Sequence, residues 1–417
     1  MENIEVPEYF ICPISLQIMK DPVTAITGIT YNRDSIESWL SNNSNNNAIC
    51  PVTKLPLPRD SDLVQNHTLR RLIQAWCVSN GYNGVDRILT PKPALSKFYF
   101  LNLVVDLSVP RTEIKTLEKL EMVVKENERN KRYMVEVGVH KALVNFLIQC
   151  YTKCDTNGLE KALSTLSLIW DDSSSCHENK VENRKEILID SITWALGLDH
   201  NIQNHAVIKN HAMNLLRSIT GKANTSTLER LKPQLFEKII VFLCTTTITI
   251  AQKRVNAALH VMLDTSSTPS CKNRKMMIES RAIFELIELE LKLFSSNKKT
   301  TELIFGILFN LCSCADGRAQ LLSHAAGIAM ITKRILKVSP IVDEKGMLIL
   351  CLISKYSATS AVLQEMLKVK SVSKICTVIQ ADCPSHLKDK AREILRSHFD
   401  VWKNSPCVEV ATLTRHA

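Results

Sequence analysis

Between Met1 and Asn80, four side chains could bind a metal ion: Cys12, Cys50, His67 and Cys77. A pair of tetrahedral zinc sites needs four Cys or His ligands each, several of them in closely spaced Cys pairs. This set is half the number and holds no such pair, so the expectation is a domain with no metal. Hydrogen bonds and salt bridges among Ser15, Asp21, Arg33, Glu37 and Asn66 are candidates for the work metal would otherwise do. Cys12 and Cys50 then read as small buried hydrophobes. Farther on, Cys312-x-Cys314 and Cys150-x3-Cys154 lie on or beside apolar helical stretches and read as thiols of a core. His200, His205 and His211 with Asp199 fit no common ligand spacing and read as solvated loop histidines. No cysteine nucleophile is identifiable and no Gly-rich phosphate loop is present, so no cofactor is expected.

The elements that would position chemistry near the N-terminus form a short α/β pattern. Val23 to Ile26 and Ile29 to Tyr31 favour strands around Thr27-Gly28, which predicts a hairpin. Asp34, with Glu37 three residues on, has the form of a capping box opening a short helix that ends near Leu40. Residues 41–49 are a polar loop, and Cys50 to Leu57 is too rich in proline for a helix. Asn66 can cap a last helix with the stripe Leu69, Leu72, Ile73 and Trp76. Phe10 and Met19 read as inward anchors of the first loop, and Tyr31 and Trp39 as core.

This region resembles the U-box, the zinc-free relative of the RING domain. The likeness rests on Pro7-x-Tyr9-Phe-Ile-Cys-Pro-Ile14-Ser-Leu16-x-x-Met19-x-Asp21-Pro22-Val23, Gly28-Ile-Thr-Tyr31-x-Arg33-x-x-Ile36-x-x-Trp39-Leu40, Cys50-Pro51-Val-Thr-Lys54-x-Pro56-Leu57 and Asn66-x-x-Leu69-Arg70-x-x-Ile73-x-x-Trp76. The linker Arg87-Ile-Leu-Thr-Pro-Lys-Pro93 and the late Val401-Trp402-Lys403-Asn404-Ser405-Pro406-Cys407 look like the plant U-box/armadillo ubiquitin ligases. The resemblance implies a groove that binds a ubiquitin-conjugating enzyme, from which ubiquitin passes directly to a substrate lysine with no covalent stop on the ligase. At matching positions Ile14, Leu16 and Pro51 would make the apolar contact. Lys54 would bridge the conjugating enzyme and ubiquitin, a contribution by positioning. Catalytic residues in the covalent sense are not expected.

Composition bounds the rest of the chain. Of its 417 residues, 45% are hydrophobic and 23% charged, so disorder as the main state is excluded. Apolar runs such as Ile239 to Cys244 or Leu303 to Phe309 fall far short of a membrane span, which takes roughly 18 residues or more. The start, Met-Glu-Asn-Ile-Glu-Val-Pro, has no apolar signal region. The 14 scattered cysteines then read as reduced thiols of a cytoplasmic or nuclear protein. Residues 1–90 carry 7 basic and 9 acidic side chains and the remainder 45 and 33, so the net charge of +10 belongs to the long C-terminal part. It is spread along that part, which suits an acidic partner surface and does not amount to a nucleic-acid stripe.

Nine of the 14 prolines precede residue 111 and glycine totals 11, which predicts a nearly all-α remainder. Helical stripes recur at Leu159, Ala162, Leu163, Leu166 and Trp170, at Val255, Ala258, Leu259 and Met262, and at Ile304, Ile307, Leu308 and Leu311. Four segments of one shape align on Gly138, Arg281, Ala326 and Lys370, with steps of 143, 45 and 44. That period is expected of armadillo or HEAT repeats and leaves room for two degenerate units at about residues 185–265. The organisation expected is a small α/β U-box domain over 5–79, a linker over 80–97, an all-α armadillo-type superhelical repeat domain over 98–402 and a flexible tail over 403–417.

The leading expectation is therefore a U-box ubiquitin ligase whose repeats choose the protein substrate, in the stress or immune signalling typical of the plant family. A non-catalytic armadillo adaptor or scaffold is the alternative, and a cargo or membrane-surface binder a third. The repeats lack the regularly spaced Trp and Asn of cargo-binding armadillo grooves. Substrate would lie on the last helix of each unit, beginning near Lys141, Phe284, Ala329 and Lys374, with Asn145, Glu288, Lys333 and Thr377 facing solvent.

Overall fold

A computed structural model describes residues 6–42, 49–58, 62–81, 95–170, 179–199, 201–245, 252–292 and 297–403. Residues 43–48 of the loop expected at 41–49, most of the linker (82–94) and the tail from 404 lie outside them, as does His200, while residues 41–42 end the first helix. The chain divides into two compact units after Leu95.

The N-terminal unit is a three-stranded antiparallel sheet with two helices. β1 (Pro22–Thr24) pairs with β2 (Thr30–Asn32) in the register Pro22↔Asn32, Val23↔Tyr31, Thr24↔Thr30. The hairpin turns through Gly28, whose φ of 78° is left-handed backbone that glycine adopts without strain. α1 (Arg33–Asn42) follows, then β3 (Val64–Gln65), which pairs with the other edge of β1, and α2 (His67–Ser79). The β3 run is too short for sequence periodicity to reveal it. Asn66 caps α2 as expected, its Oδ1 accepting from the Leu69 amide at 3.0 Å.

Asp34 does not cap α1. The helix begins one residue earlier, at Arg33, and Asp34 sits in the first turn, where its charge suits the helix dipole. Leu72 is not part of the core stripe of α2; it is 51% exposed, and Ile73 and Cys77 are the inward residues. The core of the unit joins Phe10, Cys12, Met19, Val23, Tyr31, Ile36, Leu40, Cys50 and Leu57 to them.

The C-terminal unit is helical in every described element. α3 (Lys97–Leu107) and α4 (Glu113–Glu126) open it. Triplets or pairs follow: α5 (Glu128–Val137), α6 (Val139–Lys153) and α7 (Leu159–Ile169), then α8 (Asn179–Leu196) and α9 (His205–Thr220). Next come α10 (Thr225–Glu229), α11 (Pro233–Thr245) and α12 (Gln252–Ser266), then α13 (Lys272–Glu279), α14 (Ala282–Lys292) and α15 (Lys298–Cys312). The series ends with α16 (Ala315–Ser323), α17 (Gly327–Arg334) and α18 (Pro340–Tyr356), then α19 (Ser360–Lys368), α20 (Ser371–Gln380), α21 (Ser385–Ser397) and the single turn α22 (Phe399–Trp402). Helices α8 to α12 fill the stretch where two degenerate units are expected.

The repeat is visible in its bonds. Asn204 to Glu160, Arg230 to Glu186, Asn310 to Ser266, Arg334 to Glu290 and His398 to Ser354 each join residues 44 apart. Stacking makes neighbours of positions one unit apart, so the step of 44 in sequence becomes side-by-side contact in space. The predicted stripes are buried at every position except Trp170, which is partly exposed. Cys150 and Cys312 are thiols of that core, whereas Cys154 is exposed and Cys314 half-buried. His205 and His211 are not loop residues: both are half-buried on α9, whose start the polar run before it conceals.

Of the four aligned kinks, Gly138, Arg281 and Lys370 are left-handed, with φ of 88°, 64° and 62°. Ala326 is not, at −102°. The helices after these kinks are the second of each unit, not the last. Third helices follow them, and α4, α7, α9, α12, α15, α18 and α21 pack against one another in an unbroken series. Asn145, Lys333 and Thr377 are exposed on the second helices, but Glu288 is half-buried and faces His324 of the next unit at 3.2 Å.

Candidate functional site

The two loops that carry Ile14, Leu16, Pro51 and Lys54 are one structure made twice. Ile11-Cys12-Pro13-Ile14-Ser15-Leu16-Gln17-Ile18 corresponds to Ile49-Cys50-Pro51-Val52-Thr53-Lys54-Leu55-Pro56. Each is closed at its ends by an isolated antiparallel bridge, Ile11↔Ile18 in one and Ile49↔Pro56 in the other. In each the cysteine amide donates to the carbonyl five residues on: Cys12 to Gln17 and Cys50 to Leu55, both at 2.8 Å. In each the amide four residues on returns a bond to the cysteine carbonyl, from Leu16 at 2.9 Å and from Lys54 at 3.0 Å. Leu16 and Lys54 are therefore equivalent, and both are left-handed, with φ of 54° and 61°. Sequence reasoning misses this duplication, although the repeated Ile-Cys-Pro followed by a β-branched residue and Ser or Thr is its signal. Val52, the counterpart of Ile14, is the residue so missed, and it is 48% exposed.

Each loop is pinned by its sulfur. Asn32 donates its amide to Cys12 Sγ at 3.3 Å, and Tyr31 Oη lies 2.9 Å from Cys50 Sγ. Thr27 Oγ1 and the Thr53 amide also donate to Cys50 Sγ, at 3.5 and 3.4 Å. Both thiols are wholly buried, so they are the small core residues expected and, beyond that, hydrogen-bond hubs. Burial pushes the Cys50 thiol up, but donation from Thr27, Thr53 and Tyr31 outweighs it and brings it down to about 6. Burial likewise raises Cys12, and bonds from Ser15, Asn32 and Ile14 leave it below its ordinary value. Tyr31 is pushed up by burial and by the sulfur that it serves.

Polar contacts brace the rest. Arg33 Nε reaches Asp21 at 2.7 Å and its Nη1 lies 3.8 Å from Glu37. Gln65 Nε2 donates to the other Asp21 oxygen at 2.8 Å, and Asn32 Oδ1 accepts from the amides of Lys20 and Asp21. Asp21, Arg33, Glu37 and Asn66 thus take the bracing role expected of them, Ser15 bonds Cys12, and Gln65 and Asn32 join the set. No group of three His, Cys, Asp or Glu among the described residues is close enough to hold a metal ion.

The four candidate residues differ in setting. Leu16 is 77% exposed, whereas Ile14 is partly buried against the core. Pro51 and Lys54 are joined directly, Lys54 Nζ donating to the Pro51 carbonyl at 3.0 Å. No hydrogen bond among the described residues joins the two loops, and both refer to adjacent residues of β2. Trp39 is 38% exposed rather than core, because its Nε1 donates to the Ile49 carbonyl at 3.0 Å and so ties α1 to the second loop. Leu16 on the first loop, Val52 and Lys54 on the second, and Trp39 beside the second are exposed groups that can dock a protein and orient it; none is a thiol or hydroxyl nucleophile.

The chain is similar to known proteins along nearly its whole length. The U-box domain family matches residues 6–81, and the plant U-box protein ARM repeat region matches residues 103–417. The chain is 39% identical to E3 ubiquitin-protein ligase PUB24 of Arabidopsis thaliana, over 99% of its own length and 96% of that protein's. It is 38% identical to E3 ubiquitin-protein ligase PUB23 of the same plant, over 98% and 96%. Among solved structures, an engineered protein of the Northeast Structural Genomics Consortium matches 73% of this chain and 68% of its own, at 14% identity and a TM-score of 0.51.

Proposed function

The chain belongs to the plant U-box proteins with an armadillo repeat region, as a ubiquitin ligase of the U-box type, and from that premise we propose how it works. The N-terminal unit binds a ubiquitin-charged conjugating enzyme through Ile14, Leu16, Pro51 and Lys54. Ubiquitin passes from that enzyme to a substrate lysine without a covalent intermediate on the ligase. The observation that carries this reading is the duplicated loop, which presents Leu16 and Lys54 at one backbone position from two places pinned to β2. A rigid pair of contacts, one apolar and one cationic, suits holding a charged conjugate in a reactive posture.

The armadillo repeats choose the substrate, which bivalent attachment then keeps at high effective concentration beside the conjugate. The site of action is cytoplasmic or nuclear, compartments in which unpaired thiols such as Cys12 and Cys50 stay reduced. Self-ubiquitination with a panel of conjugating enzymes tests the ligase mechanism: chain formation that Leu16→Ala reduces at least tenfold is expected. Chain formation indifferent to Leu16 and Lys54 together would remove the proposed surface.

A further inference from the structure

We infer that α3 is the docking face for a second copy of this chain, the two α3 helices crossing antiparallel. α3 is apolar on two opposite sides. It packs against α4, α5 and α6, and Phe100, Leu103 and Leu107 are buried. Phe98, Leu101 and Val105, at steps of three and four on the other side, are 70%, 47% and 63% exposed. A helix inside a stack is apolar all round because it is covered all round, whereas a surface helix keeps a polar outer face. α3 has the composition of the first and the position of the second.

The last unit of the stack is finished differently. α21 leaves Asp389, Glu393 and Arg396 exposed, and ties Lys390 to Glu393 and Arg392 to Asp389, each at 2.7 Å. A terminal unit with a polar outer face closes a stack and keeps it soluble. The first unit lacks such a face along the stripe of α3.

The charges that frame the stripe name the occupant. Lys97 stands one residue before Phe98, and Asp106 one residue after Val105. An antiparallel copy centred between Leu101 and Asn102 sets Phe98 against Val105 of the second copy and Lys97 beside its Asp106. The same two contacts recur across the two-fold axis, so the stripe is its own complement, as an isologous interface requires. A parallel copy would instead set like charges together at both ends. The Lys97 ammonium is held at the edge of the stripe, 2.5 Å from Glu136 and 5.4 Å over the Tyr133 ring. Asp106 is half-buried, and no salt bridge engages its carboxylate among the described residues. Two or three turns of helix from each copy bury less than the ~800 Å² per partner of a standard interface, so association in roughly the micromolar range is expected.

Sedimentation velocity of the full chain from about 1 to about 100 µM reads the association. Leu101→Glu with Val105→Glu should weaken it at least about tenfold and leave the melting curve in place, since both side chains are exposed. Phe98→Cys mixed with Val105→Cys should form an intermolecular disulfide under mild oxidation. The yield should stand well above either variant alone and above wild type, whose exposed Cys154, Cys244 and Cys271 set the background. Either variant alone leaves its two new cysteines ~10 Å apart along the helix axis, beyond the ~7 Å that a disulfide spans between Cα atoms. A chain that stays monomeric across that range overturns the inference and leaves α3 to a different protein. Association untouched by the two glutamates overturns it as well, because the contact then lies elsewhere. Equal crosslinking in the mixture and in the single variants overturns the antiparallel pairing. Should the glutamate variant fail to fold, the cysteine mixture decides by itself.

Discussion

Tyr31 Oη lies 2.9 Å from Cys50 Sγ, and the amide of the next residue, Asn32, donates to Cys12 Sγ at 3.3 Å. Two consecutive residues of one short strand therefore hold the two loops that carry the proposed docking surface. Each buried sulfur is a hub that accepts hydrogen bonds. The loops gain rigidity from these bonds because the Tyr31 hydroxyl, the Thr27 hydroxyl and the Asn32 and Thr53 amides each find a buried sulfur.

Tyr31→Phe should loosen the second loop in a pH-dependent way. A thiol brought from 9.0 to about 6 in the folded unit contributes stability that is full above the unfolded thiol's value and is lost as pH falls through about 6. Loss of the Tyr31 donor removes about 1–2 kcal/mol and raises Cys50, so the deficit should be larger at about pH 9 than at about pH 5. Hydrogen exchange at the Cys50 and Lys54 amides, compared between wild type and variant, measures it. An equal deficit at both pH values would show that the thiol is not the acceptor that matters.

Leu16 is a cleaner probe of the docking surface than Ile14. It is 77% exposed, so its truncation should leave the fold intact. Leu16→Ala should lower ubiquitin transfer about tenfold or more, a loss of ~1–3 kcal/mol at one interface anchor. The melting curve should not move. Ile14 leans on the core. Ile14→Ala should therefore lose transfer and about 1–2 kcal/mol of stability together. Transfer rates and thermal unfolding on the same samples separate the two. Wild-type transfer by Leu16→Ala would exclude this face as the contact.

What is legible in the sequence follows from what side-chain pattern encodes. The hairpin, the Asn66 cap and the helical stripes of the C-terminal unit depend on local spacing, and apart from the partly exposed Trp170 the structure places them where spacing puts them. The step of 44 is readable because stacking repeats one environment. The start of α1 is not, because Asp34 and Glu37 have capping-box spacing, yet Glu37 turns to Arg33 instead. Trp39 has the size of a core residue, but its indole N–H finds a carbonyl at the surface. The third helices escape an alignment that stops at the kink, since of α7, α15, α18 and α21 only α7 has a glycine, Gly158, immediately before it. The faces of individual helices depend on tertiary neighbours such as the His324 that covers Glu288, which no local pattern contains.

Lys54 combines a charge with a strained backbone, and substitutions can separate them. Lys54→Arg should equal or exceed wild type in discharging a charged conjugating enzyme, since a guanidinium reaches two acceptors at once. Lys54→Gly relieves the left-handed φ of 61° but removes the cation. It should keep the loop and still slow discharge about tenfold, a cost of ~1.4 kcal/mol. Single-turnover discharge and conjugating-enzyme affinity are the readouts. If Lys54→Gly discharges ubiquitin at the wild-type rate, the ammonium is not the bridge.

The last prediction concerns the kinks. Lys370 is held at a φ of 62°. A non-glycine residue in that conformation gives up roughly 1–2 kcal/mol. Glycine removes that strain but adds freedom to the unfolded chain, at a cost of ~0.5–1 kcal/mol. Lys370→Gly should therefore stabilise the helical unit by about 0.5–1 kcal/mol. Ala326, at the aligned position, has a φ of −102° and no strain to release. Ala326→Gly should destabilise by about the same amount. The two changes bring in the same residue at one repeat position and should move the urea midpoint of the helical signal in opposite directions. Movement in the same direction would mean that backbone strain at the kink does not set the stability of the stack.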